Sequence, residues 1–289
     1  MVKLEIVAGA DPDDWHGLAA PSTVKPLFAE ADRVRVSPST LEAFEQSPVD
    51  WFIDRVSGSQ PSTAMGLGII VHEAMEHTPD PSVESVWKLI DERWNELVFE
   101  APWLAERERR AAQKIAQGVS EYLRDFETHG KTLIRAEGEF KLDVEPAMLS
   151  GKIDRVELNR DSGVTIVDLK TGATRATKAE LIDHAQLRAY QLAYASGALD
   201  DALAEFGEHH ADGAKLVYPR LTSKRPQRDY VEAVQDALSD DELDEFRERV
   251  RSAARLMAAA EFAGALDVDQ FGFNTAAKKL HRTPAVTSD

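Results

Sequence analysis

The sequence of 289 residues contains no cysteine. This absence excludes disulfide bonds, thiolate catalysis, cysteine-ligated zinc and cysteine-held iron–sulfur clusters, and it fits a reducing compartment. Long apolar runs are also missing, since no window approaches the roughly 18 uninterrupted apolar residues that a membrane-spanning helix needs. The opening residues MVKLEIVAGADPDD contain no apolar stretch of the kind found in signal peptides. We therefore expect a cytoplasmic protein without a membrane span.

Basic residues are scarce, with 34 Lys and Arg against 51 Asp and Glu and a formal net charge of −17. Nucleic-acid-binding surfaces are usually basic, so this average argues against a broad surface of that kind but leaves a narrow one open. Basic residues collect in KTGATRATK (170–178) and SKRPQR (223–228), whereas SDDELDEFRERV (239–250) is typical of a solvated helix face. Divalent cations can also bridge an acidic surface to phosphate.

Apolar spacing predicts that the first half of the chain is mainly helical. The predicted helices are 41–56 with a break near Pro48, 67–77, 82–99 and 103–128. Ser39 is predicted to cap the first of them, with Glu42 completing a capping box. The second of these predicted helices, 67–77, contains enough β-branched residues to suit a strand as well.

Alternating apolar residues then predict a sheet. The predicted strands are 132–144, 149–159, 164–170, 213–221 and 227–234, with a hairpin turn at 160–163 and helices at 178–197 and 239–264. This order indicates an α/β (α+β) fold in which a central mixed sheet of about five strands is flanked by helices and follows a helical N-terminal part.

Weak periodicity in 1–37 predicts an N-terminal arm, and the rest, 38–289, is expected to form a single domain. The expected parts of that domain are a helical part 38–130, a core 131–236, and a C-terminal helix with a tail, 237–289.

Three charged residues lie near the ends of two predicted neighbouring strands. Asp154 belongs to the second strand, and Asp168 and Lys170 end the third, so a tight hairpin can bring both carboxylates to one face. Two carboxylates beside a lysine suit a divalent cation with oxygen ligands and a phosphate substrate. A single Asp of this kind is more often a turn residue or part of an ion pair, and the spacing alone is only modestly specific.

Other polar residues fit the same site. Gln186 and Tyr190 are one turn apart on a predicted helix, although an ordinary amphipathic core helix explains them about equally well. His72 stands in an apolar run, where a histidine is usually a satisfied core residue, but its spacing from Glu76 is compatible with a metal. The zinc-protease pattern HExxH fails because position 76 is Glu.

Taken together, GxxxHE (68–73), GKIDR (151–155), VDLKTG (167–172) and QLRAYQLA (186–193) resemble the motif series of the RecB-like nucleases of the PD-(D/E)XK superfamily. VSPSTLEAFEQSPVDWF (36–52) resembles that family's entry helix. The resemblance is closest to the C-terminal nuclease domains of the AddAB and AdnAB helicase–nucleases. It implies a restriction-endonuclease-like core and a DNA nuclease, expected to be an exonuclease in repair and recombination, with a helicase as partner.

The resemblance also implies the role of each residue. It assigns Mg²⁺ or Mn²⁺ to His72, Asp154, Asp168 and the backbone carbonyl of Leu169. Lys170 matches the catalytic lysine, and Gln186 and Tyr190 match the motif that orients it and contacts the scissile strand. Glu137 matches more loosely an acid that many members carry.

The chain departs from many relatives at their iron–sulfur cluster. The positions of the four cysteines appear as Ser47, Asn274, Ala277 and Thr283, the last followed by Pro284, so no cluster forms. In relatives the cluster holds the C-terminal tail to the entry helix. Here either aromatic packing of Phe271 and Phe273 does so, or nothing does. This loss and the charge of −17 keep an alternative open, namely a catalytically weak or inactive nuclease-like module that binds DNA or scaffolds a helicase complex. A phosphoesterase acting on small molecules is a weaker alternative.

Overall fold

A six-stranded mixed sheet organises the part of the chain that the computed structural model describes, residues 24–57 and 63–262. In chain order the strands are β1 Val34–Val36, β2 Thr132–Val144, β3 Ala147–Leu158, β4 Gly163–Leu169, β5 His210–Tyr218, the two-residue strands β6 Ser223–Lys224 and β7 Gln227–Arg228, and β8 Val231–Gln235. Strands β6 and β7 form a separate small hairpin.

The central strand of the sheet is β4, all of whose residues are buried. It runs antiparallel to β3 and parallel to β5, while β8 closes one side against β5 and β2 pairs along β3. Because β4 and β5 are parallel, their carboxyl ends meet at the same edge of the sheet. That edge is where the candidate site lies.

Helices cover both faces of the sheet. They are α1 Pro38–Gln46, α2 Pro48–Ser57, α3 Thr63–His77, α4 Val83–Glu92, α5 Pro102–Thr128, α6 Lys178–Ile182, α7 Ala185–Ala195, α8 Asp200–Leu203 and α9 Asp240–Met257. Ile166 of β4 packs in one core with α1, α7 and α9, whereas Val167 packs in a second core with α3, α4 and α5. Among the helices described, none is long and apolar enough to cross a bilayer.

The helical first half and the α/β class of the sequence analysis are confirmed, with corrections at helix ends. The break near Pro48 separates α1 from α2, and residues 67–77 belong to α3 instead of a strand. The cap of α1 is Ser37, not Ser39, and Thr40 completes the box in place of Glu42. The helix starts two residues earlier because Pro38 is already preset for a first helical turn.

The predicted arm contains a strand that periodicity did not reveal. Residues Val34–Val36 form β1 and pair in parallel with the start of β3. Three residues are too few for an alternation to be recognised, which explains the error. The part of the arm before residue 24 lies outside the described residues.

Three later boundaries also differ from the prediction. The helix expected over 178–197 is split at Asp183 and His184 into α6 and α7. The side chain of Gln235 donates to the carbonyls of Leu181 and Ile182, so the end of α6 is satisfied without helical continuation. The strand expected over 227–234 begins at Val231, because the preceding residues turn through the β6–β7 hairpin. Helix α9 ends at Met257, before the expected 264.

An aromatic cluster joins the end of the described chain to the first two helices. Phe262 stacks on Phe52 with ring centroids 4.8 Å apart and meets Trp51 edge-on at 5.6 Å. Phe44 contacts both Trp51 and Phe262. The residues expected to make such a contact, Phe271 and Phe273, lie outside the described residues, as do Asn274, Ala277, Thr283 and Pro284. Phe262 therefore makes the kind of contact that was expected from residues further along the tail.

Candidate active site

Four elements meet at the edge where β3 and β4 separate. Asp154 of β3 accepts a hydrogen bond of 2.7 Å from the backbone N–H of Leu169, at the end of β4. The pairing of Ala136 with Arg155 and of Gly138 with Ile153 brings Glu137 of β2 opposite Asp154. His72 of α3 comes from the helical layer above this edge, so its ring reaches the two carboxylates.

His72, Glu137 and Asp154 form a half-buried cluster whose three potential ligand atoms lie within 4.8 Å of one another. His72 Nδ1 is 3.4 Å from Asp154 Oδ1 and 3.7 Å from Glu137 Oε1. His72 Nε2 is 3.1 Å from the carbonyl oxygen of Leu169. Around a six-coordinate ion with bonds of about 2.1 Å, adjacent ligand atoms are about 3 Å apart, so these separations suit ligands of a single ion.

The cluster is strongly negative and attracts positive charge. Burial opposes protonation of His72, but the hydrogen bond and charge of Asp154, with the charges of Asp168 and Glu137, outweigh it and raise the pKa of His72.

Glu137 has a left-handed backbone with φ of 52°, which is rare for this residue type and often marks a functional position. Like charges opposite each other on neighbouring strands repel. An imidazole and hard carboxylate oxygens arranged in this way fit a divalent cation.

A second network holds the acid and the lysine at the end of β4. Asp168 is 1% exposed, and its Oδ1 is 2.5 Å from Gln186 Nε2 and 3.0 Å from the hydroxyl of Tyr190. Lys170 Nζ lies 2.9 Å from Asp168 Oδ2 and donates to Gln186 Oε1 at 2.5 Å. Helix α7 starts at Ala185, which puts Gln186 in its first turn and Tyr190 one turn later, both facing β4.

The protonation states in this network follow from its burial. Burial raises the pKa of Asp168, and the charge of Lys170 offsets part of that effect. Burial works against the charge of Lys170, but the charge and hydrogen bond of Asp168 prevail and raise the pKa of Lys170. Lys170 therefore remains an ammonium. Asp168 Oδ2 faces the Lys170 ammonium at 2.9 Å and has no other donor beside it among the described residues, so the charge of this buried oxygen is balanced by Lys170.

The structure thus brings all the residues singled out in the sequence to one edge, but in two groups. His72, Glu137 and Asp154 surround one point beside the carbonyl of Leu169. The side chain of Asp168 is not a member of that group, since it turns toward Lys170, Gln186 and Tyr190. Glu137, the loosest of the sequence matches, is more central than Asp168.

Glu42 was missed as a site residue. Burial raises the pKa of Glu42, while the charge of Lys170 and a backbone hydrogen bond from Ala185 act in the opposite direction. Glu42 of α1 therefore lies near both Lys170 and the start of α7. The sequence gives no local sign that Glu42 lies near Lys170, because α1 and Lys170 come together only through the tertiary fold.

A further buried charge group lies on the α5 side of the sheet. Glu157 is fully buried, accepts from the Tyr122 hydroxyl at 2.6 Å and pairs with Arg155 at 2.7 Å. Burial works to raise the pKa of Glu157, but the charges of Lys215 and Arg155 prevail and lower it. This group anchors α5 to β3 and is separate from the metal-compatible cluster.

Comparison with known proteins supplies the family. Residues 35–267 match the model of the PD-(D/E)XK nuclease superfamily, a range that includes both groups of site residues. No curated protein gives a significant match. A crystal structure of a protein described as a "putative exonuclease" from Eubacterium rectale is similar to the chain, with 13% identity, a TM-score of 0.43, and coverage of 88% of this chain and 92% of that one. The family model spans most of the length of this chain, and the chain therefore belongs to the PD-(D/E)XK nuclease superfamily.

Proposed function

We propose that the chain is a nuclease that hydrolyses phosphodiester bonds of DNA with Mg²⁺ or Mn²⁺. The observation that carries the proposal is the meeting of the cluster His72, Glu137 and Asp154 with the pair Asp168 and Lys170 at one edge of the sheet. Acidic and imidazole ligands next to a lysine whose pKa is raised suit the chemistry of a phosphate ester, which needs both a cation and a group that stabilises new negative charge.

Each residue has a distinct task in this proposal. His72, Glu137, Asp154 and the carbonyl of Leu169 would hold the ion, and Asp168 would join them by turning its Oδ2 from Lys170 toward the ion. When bound, the ion would polarise a phosphate oxygen and lower the pKa of a coordinated water molecule.

The second network supports the lysine. Lys170 keeps its proton, because Asp168 raises its pKa, and so it presents an ammonium to charge that develops on the phosphate. Gln186 links the two partners, since its oxygen accepts from Lys170 while its nitrogen donates to Asp168. Tyr190 supports the same carboxylate from α7. The network therefore fixes the direction of Lys170 before the substrate arrives.

The biological setting is part of the proposal and rests on the RecB-like motifs. We infer an exonuclease that works in the cytoplasm in DNA repair or recombination, with a helicase or as a derivative of a helicase–nuclease. The sequence has no GxxxxGK[ST] motif, so ATP-driven movement along DNA would have to come from elsewhere. Cleavage of end-labelled linear DNA with sparing of the same DNA as a closed circle is the result expected of an exonuclease.

The test of the catalytic assignment separates metal binding from cleavage. Asp154→Asn should abolish both Mn²⁺ binding, measured by calorimetry, and cleavage of labelled DNA. Lys170→Met should abolish cleavage but leave Mn²⁺ binding intact, because the ammonium is not a ligand. Asp161→Asn is the matched control, since Asp161 is exposed in the turn at the opposite end of the β3–β4 hairpin.

Two outcomes would contradict this proposal. Cleavage by Asp154→Asn at the parent rate would show that the cluster takes no part in the reaction. A parent protein that binds DNA but neither binds Mn²⁺ nor cuts would instead be a nuclease-like binding or scaffolding module, which the acidic charge and the missing cysteines allow.

A further inference from the structure

Two loops at the active-site edge have a charge unlike that of the rest of the chain. Residues 170–178 follow β4, and residues 219–228 follow β5 and include the β6–β7 hairpin. Neither segment contains Asp or Glu, although acidic residues outnumber basic ones 51 to 34 in the chain. Their basic residues are Lys170, Arg175, Lys178, Arg220, Lys224, Arg225 and Arg228.

Five of these cations have no acidic partner within the described chain. Lys170 pairs with Asp168, and Arg228 pairs with Asp125 and Glu232. The other five, which we call the basic edge, are without an ion pair there, and all but the half-buried Arg220 are exposed: Arg175, Lys178, Arg220, Lys224 and Arg225. Elsewhere many basic residues are neutralised, as when Arg249 binds both Glu45 and Asp183.

The fold brings the two loops together beside the site. The backbone N–H of Ala176 donates to the hydroxyl of Tyr218 at 3.0 Å, which ties the first loop to the start of the second. The N–H of Lys170 donates to the carbonyl of Val217 at 2.8 Å. Arg220 lines a cleft together with Thr63 and Leu67, at the start of the helix that carries His72. Both loops therefore begin at the carboxyl ends of β4 and β5, next to Lys170.

We propose that the basic edge binds the phosphates of the DNA strand on either side of the bond that is cut. The inference rests on the proposed function and adds the path of the substrate. A polyanion is repelled by an acidic surface, and it gains from replacing its counterions with lysine and arginine where these are unpaired. Exposed cations on loops contact phosphate oxygens and not base edges, so the binding is independent of sequence.

The experiment measures DNA binding separately from cleavage. Binding of a fluorescein-labelled single-stranded DNA oligonucleotide is followed by anisotropy in EDTA over a series of NaCl concentrations. The variants are Lys224→Gln with Arg225→Gln in the hairpin, and Arg175→Gln with Lys178→Gln in the first loop. Each pair should weaken binding about tenfold and lower the slope of log affinity against log salt by about 1 to 1.5, the amount expected for two lost phosphate contacts.

A matched control removes the same charge from another part of the surface. Arg124 is exposed on α5, and Arg160 is exposed in the β3–β4 turn at the opposite edge of the sheet. Changing both to glutamine should leave affinity and slope at the parent values. Circular dichroism confirms that every variant is folded.

The outcomes distinguish this inference from the proposed function. Both basic-edge variants could bind DNA with the parent affinity and salt slope, or lose no more affinity than the control. The basic edge would then not be a DNA-binding surface, even if the parent cuts DNA. If they lose affinity and slope while the parent never cuts with Mg²⁺ or Mn²⁺, the basic edge stands and the nuclease assignment fails.

Discussion

Among single residues, Tyr190 shows how a buried polar group supports the candidate site. The residue is fully buried, and its hydroxyl lies 3.0 Å from Asp168 Oδ1 and 2.8 Å from the carbonyl of Lys152. Gln186 Nε2 lies 2.6 Å from the same hydroxyl. Burial raises the pKa of Tyr190 well above its usual value, so the hydroxyl stays neutral and remains a donor. The role that we propose for Tyr190 is therefore to position Asp168 through a hydrogen bond.

Replacing Tyr190 by Phe removes one oxygen atom from this network. We expect the rate of DNA cleavage to fall about 10- to 100-fold, the usual effect of losing a partner behind a metal ligand. The free energy of unfolding should fall by about 1 to 3 kcal/mol, because the hydroxyl's contacts with Asp168, Gln186 and the carbonyl of Lys152 are all lost. Tyr194→Phe is the control, because the Tyr194 hydroxyl bonds His209, which belongs to neither site group. Equal cleavage rates for the two variants would contradict the assigned role.

The sequence revealed most of the site residues, for reasons that can be stated. Asp168 and Lys170 end a strongly apolar strand, and Gln186 and Tyr190 are one helical turn apart, so local spacing marked them as candidates. An ion pair and an ordinary core helix explained that spacing about as well, and it was the resemblance to the nuclease motifs that joined the four residues into one predicted site. Glu137 could be matched only loosely, because its position opposite Asp154 depends on strand register and its left-handed backbone leaves no mark in the sequence.

Among the elements, prediction succeeded where a pattern was long. Strand β2 has the predicted bounds 132–144, and the alternation of buried and exposed residues is clear over its last seven residues, 138–144. The division of α6 from α7 could not be predicted, since the side chain that satisfies the end of α6 comes from Gln235 on β8. Strand β1 is held by its pairing with β3 and not by any pattern of its own. Long-range contacts therefore decide what local sequence leaves open.

The aromatic cluster is an element-scale contact whose contribution to stability can be measured. Phe262 follows α9 and packs on Phe52, Trp51 and Phe44, so it joins the end of the described chain to α1 and α2. Phe262→Ala should lower the free energy of unfolding by about 2 to 4 kcal/mol, because a large, partly buried ring leaves a gap among the others. Urea unfolding followed by tryptophan fluorescence reports on this directly, since Trp51 lies in the cluster.

The control for that variant lies on α9, the helix that Phe262 follows. Leu256→Ala removes an apolar side chain that is 59% exposed near the end of α9, so its cost should stay below about 0.5 kcal/mol. If the two variants are equally stable, Phe262 does not hold the end of α9 to the first helices.

At the scale of the whole molecule, the two acid-free loops separate a group of unpaired cations from a largely acidic surface, on which single exposed cations such as Arg124 and Arg160 also occur. The net charge of −17 is spread over a surface where many cations are already paired, while the basic edge lies beside the carboxyl ends of β4 and β5. This separation directs a polyanion to one edge, and it leaves unpaired acids elsewhere to repel one another. Glu205, Glu208 and Glu245 are examples that are exposed and without an ion pair among the described residues.

Salt should therefore stabilise the protein while it weakens DNA binding. Raising NaCl from about 0.01 M to 0.15 M shortens the Debye length from about 30 Å to about 8 Å, which screens repulsion between distant acids more than it weakens close ion pairs. We expect the melting temperature at pH 7, measured by calorimetry, to rise by about 2 to 5 °C. The variant Glu205→Gln, Glu208→Gln, Glu245→Gln should melt higher than the parent at low salt and gain less from added NaCl. A melting temperature that falls with NaCl would mean that ion pairs, and not repulsion among acids, dominate the electrostatics of this fold.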